Sequence, residues 1–331
     1  MSKTRATITA IGKYVPEKIL TNADLEKMVD TSDEWIRTRT GIAERRIGRK
    51  DEATSDMATA AFKDMQKRYG TDPLDIDLII TATITPDMYF PSTAALIQHN
   101  IGAKNAWGFD LSGACSGFLY ALETASGFIK SGQYKKILVV GADKMSSITD
   151  YTNRDNCILF GDGASVIIVE PTEDDNIGIV DTMLAMDGIG KDSLYMLGGG
   201  SKNPASHETI DKKMHYIYQE GRNVYKFAVK RMADSGFDIL QRNSMTGKDI
   251  ALFIPHQANK RIIDACANRL KLEDHQVMVN IDKYGNTTAA TIPLGLADAV
   301  DDGRIKRGDI VLMTAFGAGF TWGAIILKWG L

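Results

Sequence analysis

Cysteine is scarce in this chain, with three among 331 residues, at positions 115, 157 and 266. An odd number at wide spacing excludes a disulfide framework and a CxxC-type metal site, and it points to a reducing compartment. Also missing is any excess of positive charge. The 39 Lys and Arg stand against 42 Asp and Glu, a formal net charge of -3, whereas a large nucleic-acid footprint needs a strongly basic face to displace counterions. No apolar run reaches membrane-spanning length, and the first ten residues turn polar again before the apolar core of a signal peptide can develop. These absences lead us to expect a cytoplasmic protein that engages neither membrane nor nucleic acid and uses no metal or cofactor.

What is present is the composition of a globular protein, 44% hydrophobic and 24% charged, long enough for two domains or one duplicated unit. The apolar run 77–83 has the character of a buried parallel strand. Strands expected at 7–11, 106–109, 137–141 and 165–170 alternate with helices at 54–69, 92–101 and one beginning near 116, which predicts an α/β fold with a largely parallel sheet. Between 182 and 222 periodicity weakens, and this stretch reads as an excursion beside a pocket. After a helix at 223–241 the order repeats. Strands at 250–254, 277–281 and 310–315 and a helix at 289–300 match 78–83, 106–109, 137–141 and the helix after 116. Gly132, Lys135 and Lys136 precede the last strand of one copy, and Gly303, Arg304, Lys306 and Arg307 that of the other. An internal duplication is expected, with halves 1–175 and 176–331 about a pseudo-twofold axis and their strand-to-helix turns converging on one cleft.

Three of those turns carry chemistry. Cys115 sits in Gly113-Ala114-Cys115-Ser116-Gly117, ahead of apolar residues at helical period, Phe118, Leu119, Leu122, Ala125, Phe128 and Ile129. Free N–H groups and the helix dipole would stabilise a thiolate there, in an arrangement like a nucleophile elbow. A buried structural cysteine is the competing reading. His256 ends an apolar strand just before a helix, a setting that His99, His207, His215 and His275 do not share. Asn286 lies in the turn that corresponds to the cysteine turn. Alone, each is more often structural; together at matching strand ends they form a catalytic set. A glycine-rich turn, 314–322, lacks the Lys-Ser or Lys-Thr of a phosphate loop and suits an oxyanion hole. The basic stretch from Arg37 to Lys50 reads either as a solvated loop or as a holder of a phosphate-bearing partner.

Gly113-Ala114-Cys115-Ser116-Gly117, His256-Gln257-Ala258-Asn259, Tyr284-Gly285-Asn286-Thr287 and Phe316-Gly317-Ala318-Gly319-Phe320, with Trp35 and Arg39-Thr40-Gly41-Ile42 before them, resemble β-ketoacyl-acyl carrier protein synthase III nearly end to end. The resemblance implies a thiolase fold of five layers, α-β-α-β-α, internally duplicated with two mixed, largely parallel sheets, and a homodimer. It implies an acyltransferase that loads an acyl group from acyl-CoA onto Cys115 and transfers it to malonyl-acyl carrier protein with loss of CO2. Cys115, His256 and Asn286 would be catalytic, with the N–H groups of Cys115 and Ala318 as the oxyanion hole. Trp35, Arg39, Thr40, Arg154 and Asn259 would bind CoA, Trp35 and Arg154 stacking on its adenine, and the 221–225 region would line the pantetheine tunnel. Phe90, Leu159 and Phe160 would shape the acyl pocket, Phe90 from the neighbouring subunit. Gln257, Ala258, Asn259, Lys260, Arg261 and Lys226 would meet the acidic carrier protein.

Asp155-Asn156 departs from the small residue common in the family after the Arg154 position, which bears on donor preference. Other readings remain open at this point: a condensing enzyme of specialised metabolism with a different acyl or β-keto partner, a cysteine hydrolase, and a non-catalytic relative. Chain length and branching of the primer are not legible, since a methylene in a pocket is worth only about 1 kcal/mol.

Overall fold

The apolar runs become strands of two sheets. The structure, a computed structural model, describes residues 4–331. In the first sheet β1 (Arg5–Tyr14), β2 (Leu78–Ala82), β3 (Trp107–Leu111), β4 (Ile137–Lys144) and β5 (Asp162–Thr172) lie in the order β1-β5-β4-β2-β3. In the second, β6 (Gly178–Met186), β7 (Leu252–Pro255), β8 (Ile310–Gly317) and β9 (Thr321–Lys328) lie in the order β6-β9-β8-β7. A parallel bridge between Phe253 and Val277 stands where a fifth strand would extend that sheet.

The two orders coincide when β6 replaces β1, β9 replaces β5, β8 replaces β4 and β7 replaces β2. Directions coincide as well: β1-β5 and β5-β4 are antiparallel, as are β6-β9 and β9-β8, while β4-β2, β2-β3 and β8-β7 are parallel. The fold is therefore the duplicated α/β architecture that the repeated motifs anticipate. Parallel pairing is confined to one side of each sheet. On the other side neighbours are antiparallel; between β8 and β9 the connection 318–320 leaves no length for a crossover.

Six helices cover the sheets: α1 (Thr54–Tyr69), α2 (Thr93–Ile101), α3 (Gly117–Lys130), α4 (Gly221–Arg242), α5 (Lys260–Leu270) and α6 (Thr291–Asp301). Alternation along the strands decides which helices each face meets. Ile79, Leu138, Val140 and Ile168 pack on Met57, Phe62, Met65 and Ile97 of α1 and α2. Ile80, Val139 and Ile167 turn inward to Phe118, Leu122, Ile292 and Leu296 of α3 and α6, which Ile254, Met313 and Ile325 reach from the other sheet. Phe253, Leu312 and Ile326 face outward to Met232, Ile239 and Ile263 of α4 and α5. Five layers result, and α3 and α6 are apolar on nearly every side because both their faces are covered. Among the described residues, no helix is long and apolar enough to cross a membrane.

Two local expectations change. The strand expected at 277–281 reduces to the bridge at Val277. The N–H groups of Asn280 and Ile281 donate to Gln257 Oε1 at 3.1 and 3.2 Å, Asn280 Nδ2 donates to Asp298 at 2.9 Å, and Ile281–Tyr284 coils into a short helix. Side-chain capture of the backbone outweighs the β-propensity of Val277 and Val279. In the weakly periodic stretch, β6 continues through Met186, and Leu194–Tyr195 pairs antiparallel with Tyr218–Gln219.

Arg45 is neither solvated nor facing a phosphate site. It is fully buried, and its guanidinium donates to Leu20 O at 3.1 Å, Asn22 Oδ1 at 2.9 Å and Ile158 O at 2.8 Å. It thereby anchors the segment that continues into Leu159 and Phe160. Burial pulls its pKa down to about 10, so the group remains charged at neutral pH. Replacing it strands three buried acceptors, and Arg45→Met is expected to cost about 2–4 kcal/mol, read as a lower urea midpoint at unchanged slope. An unchanged midpoint would show that these bonds contribute nothing net.

Candidate active site

The convergent turns open on one cavity of about 710 Å³. Cys115, His256, Asn286 and Ala318 all line it, one from each of the four turns singled out in the sequence. Cys115 follows β3 and leads into α3, His256 follows β7, Asn286 precedes α6, and Ala318 follows β8. The three catalytic candidates are buried, with exposures of 7%, 1% and 7%. The charged residues of the lining, Asp155 and Arg222, are exposed ones at the mouth.

Backbone strain marks both copies of the turn. Ala114 has φ 48° and Thr288 φ 50°, each opening the short 3-10 turn that runs into α3 or α6. A non-glycine residue takes this conformation only where its surroundings enforce it. The repeat therefore aligns Cys115 with Ala289, and Asn286 enters three residues earlier than the equivalent position expected from the sequence.

Asn286 is oriented from its own turn. Thr288 N–H donates to Asn286 Oδ1 at 2.9 Å, so the amide Nδ2 is the group left to face the cavity as a donor. Its backbone is clamped by the first half: Asn286 N–H donates to Leu159 O at 2.9 Å, and Gly161 N–H to Asn286 O at 3.1 Å. His256 is held by its N–H on Thr314 O at 2.8 Å and by Nδ1 against Thr291 Oγ1 at 2.7 Å, which leaves Nε2 as the ring nitrogen open to the cavity. The end of β8 presses on the cysteine turn so tightly that a side chain on Gly317 would come within 2.7 Å of Cys115 N. Thr321 Oγ1 donates to Gly113 O at 3.2 Å across the same seam. This close approach brings the backbone at Ala318 beside that of Cys115.

Electrostatics differ from the sequence expectation of a resting thiolate. Burial, reinforced by the carboxylate of Asp143, pushes the Cys115 thiol up to about 12, against a smaller opposing pull from its backbone N–H. Burial also pulls His256 down to about 3. In the free protein the thiol and the imidazole are both neutral. Asp143 is itself fully buried, and burial raises its carboxyl above the usual range. It accepts from Thr83 Oγ1, Ile84 N, Thr85 N and Thr85 Oγ1 at 2.8–3.1 Å and from Ala289 N at 3.2 Å, with Thr288 Oγ1 against its second oxygen.

Other expected site residues divide. Trp35, Asn259, Ala258, Leu159 and Phe160 line the cavity, as do Gly221, Arg222, Val224 and Tyr225. Arg154 and Arg39 place their guanidinium carbons 4.8 and 5.6 Å from the Trp35 ring, and Arg154 also donates to Asp30 O. Arg154 thus rests on the indole itself, and an adenine ring could enter only by displacing it. Phe90 is 84% exposed and does not line its own chain's cavity. Thr40 departs from expectation: it is buried, its hydroxyl donates to Ile36 O at 2.7 Å and accepts from Ile42 N at 3.0 Å, and it shapes a helix end rather than a tunnel wall.

Gln257 departs too. It is 1% exposed, and its amide donates to Pro255 O and Met278 O and accepts from Asn280 and Ile281. Having no free group, it braces the floor of the turn and cannot meet a partner protein. Arg261 and Lys226 are exposed, and Lys260 is tied to Asp264. Sequence reading missed Asp143, Thr288 and Thr291, since nothing in a buried acid or a threonine at a helix start announces partners distant in the chain.

Two family models match, the C-terminal region of 3-oxoacyl-[acyl-carrier-protein] synthase III over residues 240–329 and the synthase III model over residues 109–188. The chain is 55% identical over 326 residues to beta-ketoacyl-[acyl-carrier-protein] synthase III of Koribacter versatilis, covering 98% of each. The crystal structure of 3-oxoacyl-[acyl-carrier-protein] synthase III from Aquifex aeolicus superimposes with a TM-score of 0.90 at 45% identity, covering 98% of this chain and 100% of that one. The priming β-ketosynthase of the R1128 polyketide pathway superimposes with a TM-score of 0.91 at 33% identity, covering 100% of this chain and 98% of that one.

The shifted groups generate a pH expectation. His256 neutral above about pH 3 and Cys115 neutral below about pH 12 leave no ionisation of either group in the working range. The rate at which the free enzyme takes up an acyl group is therefore expected to vary by less than roughly threefold between pH 6 and 9. A sigmoidal rise centred near the ordinary imidazole value would overturn the assignment. Stability has a definite sign: the unfolded chain binds the His256 proton more readily, so this contribution is lost as pH falls from the ordinary imidazole value toward about 3.

Proposed function

This chain belongs to the 3-oxoacyl-[acyl-carrier-protein] synthase III family, and we propose that it primes fatty-acid synthesis by condensing a short acyl-CoA with malonyl-acyl carrier protein. The observation that carries the reading is a single buried cavity lined by a thiol, an imidazole Nε2 and an amide donor, with its charged lining residues only at the mouth.

In the first half-reaction Cys115 loses its proton to His256 Nε2 as sulfur attacks the thioester carbon, and CoA leaves. The developing oxyanion is met by the N–H groups of Cys115 and Ala318. In the second, the malonyl carboxylate leaves as CO2 and negative charge moves to the thioester oxygen. His256 and Asn286 Nδ2 stabilise that enolate as donors, a task for which an amide suits and a carboxylate would repel. The enolate carbon then takes the acyl group from Cys115.

Trp35, Arg154, Arg39 and Asn259 serve the CoA end, with Arg154 moving off the indole when adenine binds. Leu159 and Phe160 form the acyl wall. Arg261, Lys226 and Lys260 offer the basic rim for an acidic carrier protein. The dimer reading draws support from an apolar surface that a lone chain leaves bare, including Tyr89 at 75% exposed, Phe90 at 84% and Trp107 on edge strand β3 at 46%. The working compartment is the cytoplasm. A condensing enzyme of specialised metabolism would keep the same three groups. The identity of 55% to a fatty-acid-type synthase, against 33% to the polyketide priming enzyme, favours the primary pathway.

Intact-protein mass spectrometry after incubation with acyl-CoAs tests the roles separately. Cys115→Ala should gain no acyl mass with any donor, and persistent labelling removes the nucleophile assignment. Asn286→Ala should still gain it, yet release CO2 from malonyl-acyl carrier protein about 100-fold more slowly or worse; unchanged release removes the enolate role. Phe90→Ala should accept longer primers, and an identical chain-length profile takes Phe90 out of the pocket.

A further inference from the structure

Behind the imidazole lies a hydroxyl whose partners allow it two arrangements. Thr291 Oγ1 is 2.7 Å from His256 Nδ1 and 3.0 Å from the Thr288 carbonyl. A hydroxyl carries one proton and can place it on only one of these neighbours. Directed at the carbonyl, its oxygen accepts from Nδ1–H, and Nε2 faces the cavity as a bare acceptor. Directed at Nδ1, it leaves the ring proton on Nε2, which then faces the cavity as a donor. The Thr288 carbonyl also holds the backbone N–H of Thr291, so neither arrangement strands a buried acceptor. A backbone carbonyl in this place would permit only the first tautomer, and a backbone N–H only the second.

We propose that Thr291 is a positioning residue that keeps both neutral tautomers of His256 accessible, one for each half of the reaction. The inference rests on the reaction proposed above, which asks opposite things of Nε2. During acylation the bare nitrogen takes the Cys115 proton as the S–C bond forms, and it returns that proton to the CoA sulfur as the thioester C–S bond breaks. The ring ends as it began, with its proton on Nδ1. During condensation Nε2–H points at the malonyl thioester oxygen. The bond to the carboxylate breaks, its electron pair enters the enolate, CO2 departs, and the enolate carbon bonds to the acyl carbon. The C–S bond to Cys115 breaks, and the sulfur takes one proton from solvent. Between the halves the ring proton exchanges with water in the open cavity while Thr291 turns its hydroxyl.

The arrangement separates Thr291 from a mere packing residue. Thr291→Val keeps the shape but removes both hydrogen-bonding options. A bare Nδ1 against a methyl group is tolerated better than a buried N–H without an acceptor, so the variant should settle in the Nε2–H tautomer. Ring ¹⁵N NMR of the full-length protein labelled at histidine, with His256 assigned by its own substitution, reads this directly. The wild type should show averaged ¹⁵N shifts from both tautomers, and Thr291→Val the Nε2–H tautomer alone.

Loading from acetyl-CoA should slow about tenfold or more in that variant, whereas CO2 release by its fully acylated form should fall less than about threefold. Thr291→Ser should restore the tautomer mixture and most of the loading rate. A wild-type ring fixed in one tautomer, or a valine variant that slows both steps alike with the tautomer populations unmoved, would overturn the proposal. A wild type that neither loads an acyl group nor releases CO2 overturns the reaction itself, and the tautomer populations remain readable in that event.

Discussion

A buried carboxylate joins the two halves of this molecule where the chemistry takes place. Asp143, at the end of β4, gathers the loop 83–85 of the first half and Thr288 and Ala289 of the second onto its two oxygens. A carboxylate withdrawn from water persists only when its lone pairs are met in full. Every donor is therefore held in place by every other, and the strained backbone at Thr288 is part of that arrangement. Since Thr288 also fixes the Asn286 amide, the orientation of the proposed donor traces back to a carboxylate outside the cavity lining. Asp143 acts on Cys115 as well, adding to the burial that raises its thiol.

The resting charge state of the cavity bears on the proposed chemistry. Neither the thiol nor the imidazole carries charge at rest, so the site presents dipoles rather than ions to the substrate. In the proposed reaction charge arises first on sulfur and the thioester oxygen, then on an enolate; the backbone N–H groups and the Asn286 amide that would meet it are already fixed in place, and only the His256 ring proton changes position.

Where the sequence was legible, one element carried its own evidence. The Cys115 turn stands out because its glycines lead into apolar residues at helical period, and the His256 turn because it ends an apolar run that is a fully buried strand. The repeat was visible in the parallel strands β2, β4, β7 and β8 for the same reason. Its members β6 and β9 were not paired with β1 and β5, whose lengths and burial patterns differ: β6 is part-exposed along most of its length, whereas β1 is mostly buried. Gln257 and Thr40 were misassigned because their neighbours in sequence are functional, while their own bonds run to backbone groups that no motif encodes. Arg45 was misread and Asp143 missed on similar grounds: a buried charge is readable only from its partners, and these lie between about 20 and 145 residues away along the chain.

The matched strain at Ala114 and Thr288 bears on how such a site can arise. In an assembly of two identical chains any substitution falls on both copies of a turn at once, so a nucleophile and a helper amide cannot be divided between them. Tandem fusion lifts that restriction, because each copy then mutates by itself. Here one turn keeps sulfur at Cys115, while its twin has alanine at 289 and contributes a carboxamide from three residues upstream. Broken symmetry within one polypeptide, rather than the addition of any new element, is what allows opposite ends of a single cavity to specialise.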